Sequence, residues 1–167
     1  MIPNGIDIQV VRNATPKKRS ELVISESAFV VGMIGRISAQ KAPDIFVKAA
    51  KLIKTQIPNS SFIIVGDGEL RPEIEKFASE NDLQLYITGW TDEPYSYLKV
   101  FDVSVLPSRW EGFGIIPYYS YKNLQFIGQT ISSLSARCFF YFWIKRNYCT
   151  FALLLISTNG RTQGNSH

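Results

Sequence analysis

Short apolar runs alternate with segments of helical periodicity up to residue 106, and this alternation constrains the fold most strongly. The runs are Phe29–Ile34, 62–65, 84–88 and Val103–Leu106. A run that is apolar throughout is typical of a parallel strand covered on both faces. Parallel strands joined through helices require right-handed crossovers. The pattern therefore predicts an α/β fold built on an open parallel sheet.

Proline marks the start of each helix that separates these runs. Pro43, Pro72 and Pro94 stand at the predicted first turns, where a missing N–H costs nothing. The helical period places two sets of apolar residues on inward faces: Ile45, Phe46, Ala49, Leu52 and Ile53 in the first helix, and Ile74, Phe77 and Ala78 in the second. We expect both faces to cover the sheet.

Charge is distributed unevenly along the chain. Residues 1–111 contain 13 Lys and Arg against all 14 Asp and Glu, whereas the later residues contain five cations and no acid. The net charge of +4 therefore belongs to the C-terminal segment and not to the predicted sheet domain. This distribution argues against a nucleic-acid partner for the domain.

Several classes of chemistry have no residues to support them. The two cysteines, Cys138 and Cys149, have no metal-ligand spacing and are too few for a disulfide framework. His167 is the only histidine, so no His-based triad or His metal site can be assembled. The chain starts without a secretory signal pattern, which favours a cytoplasmic location.

The segment 118–167 does not continue the alternation. Residues after Glu111 hold 12 of the chain's 22 aromatic residues, and the cluster 139–143 follows neither a helical nor a strand period. Its apolar runs, 138–144 and 148–156, are too short for a transmembrane helix. We predict a partial domain at 1–117 followed by an irregular or disordered tail at 118–167.

Glycine follows each of the four predicted strands closely. The residues are Gly35, then Gly66 and Gly68, then Gly89, then Gly112 and Gly114. The connections that enter the second, third and fourth strands contain none. Because ligands of open parallel sheets bind beyond the carboxyl ends of the strands, this edge is predicted to bind a ligand.

Three of these turns carry residues that suggest chemistry. Arg36 and Lys41 flank a predicted helix start and suit a diphosphate, although both could be solvated surface charges. The segment 66–68 reads Gly-Asp-Gly, which is weak as a dinucleotide fingerprint and equally fits a tight turn. Glu111, between Trp110 and Gly112, could accept hydrogen bonds from sugar hydroxyls. We expect Arg109 to pair locally and Trp110 to pack.

Taken together, the motifs resemble the C-terminal, nucleotide-sugar-binding half of family 4 glycosyltransferases, which have the Rossmann-like GT-B fold. The resemblance covers residues 1–117 and rests on four stretches in order: 2–7, Gly35-Arg36 with Lys41, 64–68, and 108–114. It implies retaining transfer from a nucleoside diphosphate sugar, with no metal and no further cofactor. Arg36 and Lys41 would hold the diphosphate and stabilise the leaving group.

The same resemblance assigns the remaining site residues. Glu111 would be the first acid of the family's E-x7-E motif and would contact the donor sugar, beside Gly112, Phe113 and Gly114. The stretch Gly89-Trp90-Thr91 would lie near the base, and Gly35, Gly66 and Gly68 would line the donor site. Tyr119 stands where the family has the second acid, which binds the donor ribose.

The departures lead to three alternatives. In the first, the chain is a truncated glycosyltransferase fragment that is inactive alone because it lacks the N-terminal acceptor domain. In the second, it is the donor-binding half of a split enzyme whose acceptor domain is a separate chain. The third alternative is a protein that contacts a membrane surface through its basic aromatic tail. A reading-frame shift near residue 118 would explain the tail, and genomic DNA without a family-like continuation in another frame would refute it.

Overall fold

The structure, a computed structural model, describes residues 8–110 and two further segments, 125–129 and 140–144. The helices are α1 (Ile8–Asn13), α2 (Pro43–Gln56), α3 (Arg71–Glu80) and α4 (Pro94–Leu98), with a 3-10 helix at Arg19–Leu22. The strands are β1 (Phe29–Ile34), β2 (Ser60–Val65), β3 (Leu85–Ile87), β4 (Val103–Leu106), β5 (Gln125–Gln129) and β6 (Phe140–Ile144).

Within these segments the strands form one sheet in the order β3-β2-β1-β4-β6-β5. Strand β1 is parallel to β2, with Phe29 opposite Ser60, and parallel to β4, with Val31 opposite Val103. Strand β2 is parallel to β3. The predicted α/β fold with a parallel sheet is therefore confirmed. The chain adds β2 and β3 on one side of β1 and β4 on the other, so the strand order reverses between β1 and β4.

The C-terminal segment contributes two strands that the sequence did not predict. Strand β6 pairs antiparallel with β4, with Val103 opposite Ile144, and β5 pairs antiparallel with β6. Residues 140–144, which the sequence analysis assigned to an irregular or disordered tail, lie in β6. The predicted boundary at residues 117 and 118, and Tyr119, lie outside the described residues.

Apolar side chains cover both faces of the four parallel strands. Alternate residues of β1 point to opposite faces, so Val31 and Met33 join the core beneath α2 and α3, while Val30 and Ile34 join the core beneath α1 and α4. Both sets are buried. Two-sided burial explains why these strands are apolar throughout rather than alternating.

Helix α2 buries a face rotated from the predicted one. Its buried residues are Pro43, Phe46, Val47, Ala50 and Ile53. Leu52, which we predicted to point inward, is 44% exposed. The buried set follows the i, i+3, i+4, i+7 spacing of a helix lying on a sheet, and Leu52 falls beyond its margin. In α3 the predicted inward residues Ile74 and Ala78 are buried, and Phe77 packs partly buried against the same core.

The described helices include none that is both long and apolar enough to cross a membrane.

Candidate functional site

The turns after β1 and β2 touch each other at the carboxyl edge of the sheet. Gly66 has a φ of +144°, and a Cβ built on it would collide with the carbonyl oxygen of Gly35. The amide of Gly35 donates a hydrogen bond to the carbonyl of Val65 at 3.0 Å. Glycine at position 66 is therefore required by the close approach of these two turns.

Backbone hydrogen bonds continue this contact beyond the turns. The amide of Ile37 donates to the carbonyl of Asp67 at 2.9 Å, and the amide of Leu70 donates to the carbonyl of Ile37 at 3.1 Å. A Cβ on Gly68 would lie 2.8 Å from the carbonyl carbon of Ile37, so this position also excludes a side chain. The two turns thus form one rigid unit at the sheet edge.

The turn after β3 is held against the same unit. Thr88 Oγ1 accepts a hydrogen bond from the amide of Gly66 at 3.2 Å and donates one to the carbonyl of Gly89 at 2.6 Å. Gly66 and Gly89 also form an isolated antiparallel bridge. Three turns that are far apart in the sequence therefore meet at one edge of the sheet.

These three turns line an open cavity of about 600 Å³. Its lining residues are Ile34, Gly35, Arg36, Val65, Gly66, Asp67, Gly68, Trp90, Thr91 and Pro94. The volume lies within the range of small-molecule sites, about 300–1,000 Å³. Trp90 leaves 77% of its surface exposed at this cavity. An exposed indole beside a mainly apolar cavity wall provides a surface on which a flat ring can stack.

The two predicted cations lie at this cavity or beside it. Arg36 lines it, and its guanidinium Nε donates to Glu69 Oε2 at 3.2 Å. Both side chains are mostly exposed, so this ion pair contributes little to stability. Lys41 precedes α2, and its Cγ and Cδ lie 3.5 Å from the position a Cβ would take on Gly35. The lysine stem therefore lies alongside the first turn.

Asp67 is balanced by a neighbouring cation. Its Oδ2 accepts a hydrogen bond from Arg71 Nη1 at 3.2 Å, and Arg71 Nε donates to Glu75 Oε1 at 2.7 Å. The Oδ1 atom of Asp67 accepts from the amide of Gly68 at 2.8 Å. Both carboxylate oxygens of Asp67 are therefore hydrogen-bonded within its own turn and to Arg71. Arg36 is the other charged residue that lines the cavity, and we expect it to be the one that contacts a ligand.

The turn after β4 is fastened to the segment that enters α2. The amide of Arg109 donates to the carbonyl of Gln40 at 2.8 Å, its Nη1 donates to the carbonyl of Ala39 at 2.8 Å, and its Nη2 donates to Asp44 Oδ2 at 2.8 Å. Gln40 Nε2 donates to the carbonyl of Trp110 at 3.2 Å. Arg109 is paired, as we expected, but with residues 65 and 70 positions away rather than locally, and Trp110, which we expected to pack, is 55% exposed.

Partial burial and Arg109 act in opposite directions on Asp44. Burial favours the neutral carboxyl, but the hydrogen bond and the charge of Arg109 outweigh it and lower the pKa of Asp44 below its ordinary value of 3.8. Lys48, with its Nζ 3.8 Å from Asp44 Oδ2, acts in the same direction. Asp44 is therefore ionised at neutral pH and holds Arg109 by a charge-assisted bond.

Of the predicted site residues, the structure brings together Gly35, Arg36, Gly66, Gly68, Trp90 and Thr91 as cavity lining, with Lys41 and Gly89 adjacent. Glu111, Gly112, Phe113 and Gly114 lie outside the described residues, so their predicted roles stay predictions. Within the described residues, no cluster of three His, Cys, Asp or Glu side chains could hold a metal ion.

The residues that hold the turns together were not predicted from the sequence. Thr88, Glu69 and Asp44 each contact a residue on a different turn, between 22 and 65 positions away. Asp44 gave no signal beyond that of an acid in the first turn of a helix. A polar residue directly after an apolar run, such as Thr88, is the one sequence signal that could have found such a contact.

Comparison with known proteins identifies the family. Residues 14–118 match the family described as Glycosyl transferases group 1. The UDP-Gal:alpha-D-GlcNAc-diphosphoundecaprenol alpha-1,3-galactosyltransferase of Escherichia coli is 40% identical over 121 residues, which cover 67% of this chain and 31% of that relative. The alpha-D-kanosaminyltransferase of Streptomyces kanamyceticus is 33% identical over 91 residues, covering 52% and 24%. The chain thus spans less than a third of the length of either relative.

Solved structures show the same fold. The C-terminal domain of the group 1 glycosyl transferase LpcC from Francisella tularensis aligns with a TM-score of 0.57 and 23% identity, over 70% of this chain and 66% of that one. Anabaena Alr3699/HepE, solved in complex with UDP-glucose, aligns with a TM-score of 0.58 and 23% identity, over 70% and 34%. Because the family match covers more than half of this sequence, the chain belongs to the group 1 glycosyltransferases.

Proposed function

We propose that this chain forms the donor site of a retaining glycosyltransferase and binds a nucleoside diphosphate sugar at the carboxyl edge of its sheet. The observation that carries the proposal is the cavity of about 600 Å³, because its lining brings Gly35 and Arg36 together with Gly66, Gly68 and Trp90. The same residues carry the sequence motifs of the predicted donor site.

The diphosphate is proposed to bind at the first turn. Arg36 reaches the cavity, and Lys41 extends along Gly35 at the start of α2. A guanidinium, an ammonium and the positive end of a 14-residue helix favour the same ligand, a compact dianion. In transfer, the same two cations would stabilise the charge that develops on the leaving nucleoside diphosphate.

The base and the sugar are proposed to extend to opposite sides of the diphosphate. Trp90 and Thr91 also line the cavity, and the exposed indole is proposed to offer a stacking surface to the base. Glu111 follows Trp110 in the sequence and is proposed to accept hydrogen bonds from the sugar hydroxyls. UDP is the first nucleotide to test, because it is named for the galactosyltransferase relative and for the HepE complex.

Transfer itself is proposed for an enzyme that also contains an acceptor-binding part, on the same polypeptide or on a separate chain. The matched segments make up 31% and 24% of the two relatives, so the activities of those proteins describe more than the donor site. The acceptor is therefore left open, and donor binding is the property to test first.

Calorimetric titration of the full chain with UDP, UDP-glucose, UDP-galactose and uridine tests the proposal. We expect UDP and at least one UDP-sugar to bind, and uridine to bind much more weakly, because the diphosphate supplies the contacts to Arg36 and Lys41. Arg36→Gln should weaken UDP binding. Lys18→Gln is the matched control, since it removes a cation that lines a different cleft. Absence of heat with all UDP ligands would contradict the proposal for this chain.

A further inference from the structure

A single side-chain hydroxyl joins two of the three turns that line the cavity. Thr88 Oγ1 accepts a hydrogen bond from the amide of Gly66 at 3.2 Å and donates one to the carbonyl of Gly89 at 2.6 Å. Gly66 and Gly89 are also the two residues of the isolated bridge between these turns. The hydroxyl therefore bonds both members of the bridge, and Thr88→Val would remove both bonds while keeping a β-branched side chain.

The backbone of Thr88 extends from the sheet, and this fixes the position of its hydroxyl. Its amide donates to the carbonyl of Ile64 at 3.1 Å, which continues the pairing of β2 with β3 by one residue. Ile64 is fully buried in the core beneath α2 and α3. Groups carried at the end of a paired strand are held more precisely than groups carried on a loop.

The third turn lies directly against the second. Gly89 has a φ of +72°, and a Cβ built on it would lie 3.5 Å from Asp67 Oδ2 and 3.6 Å from Arg71 Nη1. These two atoms are the ones that form the Asp67–Arg71 ion pair. The backbone of Gly89 is therefore placed by two neighbours, the ion pair of the second turn and the hydroxyl of Thr88.

Trp90 depends on this backbone for its own position. The residue directly follows Gly89 and lines the cavity, but 77% of its surface is exposed. An indole that is exposed to this extent has few packing contacts to hold it in place. Its distance from the first two turns is therefore determined mainly by the bonds that hold the third turn.

We propose that Thr88 is a positioning residue that holds the turn of Trp90 against the turn of Gly66 and so sets the base-dependent part of nucleotide affinity. The inference rests on the proposed function, because it takes Trp90 as the surface on which the base stacks. Thr88 does not need to touch the nucleotide. Its two bonds keep the indole at one distance from the diphosphate site, so both ends of the ligand are bound without rearrangement of the turns.

The first test measures the positioning without any ligand. Hydrogen exchange at the amide of Gly66 reports its bond to Thr88 Oγ1, and this amide and its sequence neighbours are retained in Thr88→Val. We expect exchange at Gly66 to accelerate about fivefold in Thr88→Val, the effect of losing one neutral hydrogen bond. Thr88→Ser keeps a hydroxyl, so its exchange at Gly66 should stay close to that of the wild type.

Thr55→Val is the matched control for this measurement. It makes the same substitution and removes the hydrogen bond from Thr55 Oγ1 to the carbonyl of Leu52, an exposed bond within α2. Exchange at Gly66 in this control should match the wild type. Unchanged exchange at Gly66 in Thr88→Val would overturn the proposal. Acceleration shared equally by the amides of β1 would also overturn it, because that would show only a loss of overall stability.

The second test compares UDP with inorganic pyrophosphate, which has the diphosphate without the base. We expect Thr88→Val to raise the Kd for UDP several-fold and to leave the Kd for pyrophosphate nearly unchanged, and Thr88→Ser to keep the wild-type affinity for both. Equal losses for the two ligands, or no loss for UDP, would overturn the base-positioning role. A wild-type chain that binds neither ligand would instead refute the proposed function, whereas the exchange result would still decide whether Thr88 joins the two turns.

Discussion

Replacing Gly66 with alanine tests the close approach that builds the floor of the cavity. The new Cβ would collide with the Gly35 carbonyl oxygen and lie 3.0 Å from its carbon. The substitution also places an L side chain at a φ of +144°, a conformation that costs about 1–3 kcal/mol. The collision also forces the two turns apart, and such overpacking destabilises the fold by about a further 1–3 kcal/mol. We therefore expect the free energy of unfolding to fall by about 2–6 kcal/mol.

Gly35→Ala is the matched control for this substitution. Gly35 has a similar φ of +156°, but a Cβ there would meet only Lys41 carbon atoms at 3.5 Å or more, which is ordinary contact. The control therefore carries backbone strain without the collision. The difference between the two variants isolates the overpacking of about 1–3 kcal/mol, or about 4–12 °C in Tm at about 4 °C per kcal/mol.

Thermal unfolding followed by circular dichroism measures both variants under the same conditions. We expect Gly66→Ala to unfold at a clearly lower temperature than Gly35→Ala and to lose UDP binding more completely. Equal Tm values for the two variants would refute the reasoning, because they would show that the turns after β1 and β2 do not approach each other as closely as the structure has them.

Three further predictions concern the cavity and the pair beside it. Arg36→Ala should raise the Kd for UDP by about 10- to 150-fold, the effect of losing a hydrogen bond to a charged group, and calorimetry showing a change under about twofold would contradict its phosphate role. Trp90→Phe should remove most of the tryptophan fluorescence quenching caused by UDP, and unchanged quenching would place the base elsewhere. Because the pKa of Asp44 is lowered in the fold, its contribution to stability is present above the unfolded value and is lost as pH falls through the folded one. Urea unfolding from pH 6 to pH 2 should therefore show a smaller loss of stability in Asp44→Asn than in the wild type, and parallel profiles would contradict the lowered pKa.

The sequence predicted the parallel strands well because their environment leaves a simple signal. Strands buried on both faces must be apolar throughout, and the first and fourth predicted runs coincide with β1 and β4. The inward face of α2 was predicted less well. Leu52 is as apolar as the buried residues, and only the packing of the helix on the sheet decides which apolar residues stay exposed.

In the candidate site, too, some features could be predicted from the sequence and others could not. Glycines after strands predicted where the turns would meet, because a close approach of two backbones requires a missing side chain, as at Gly66. The bonds that fix these turns were not predictable. Arg109 and Asp44 are distant in the sequence, and neither pattern nor spacing relates a turn arginine to an acid at a helix start. Such pairs arise only once the strand order has brought the two turns together.

The most direct test of the account is to map where UDP binds on the full chain by NMR chemical-shift perturbation. The account predicts that the perturbed amides cluster in the three turns around the cavity, at residues 35–41, 66–68 and 89–91. A second cleft is formed by residues 16–20, 26, 99 and 100. Chemical-shift changes confined to that cleft would contradict the proposed UDP site.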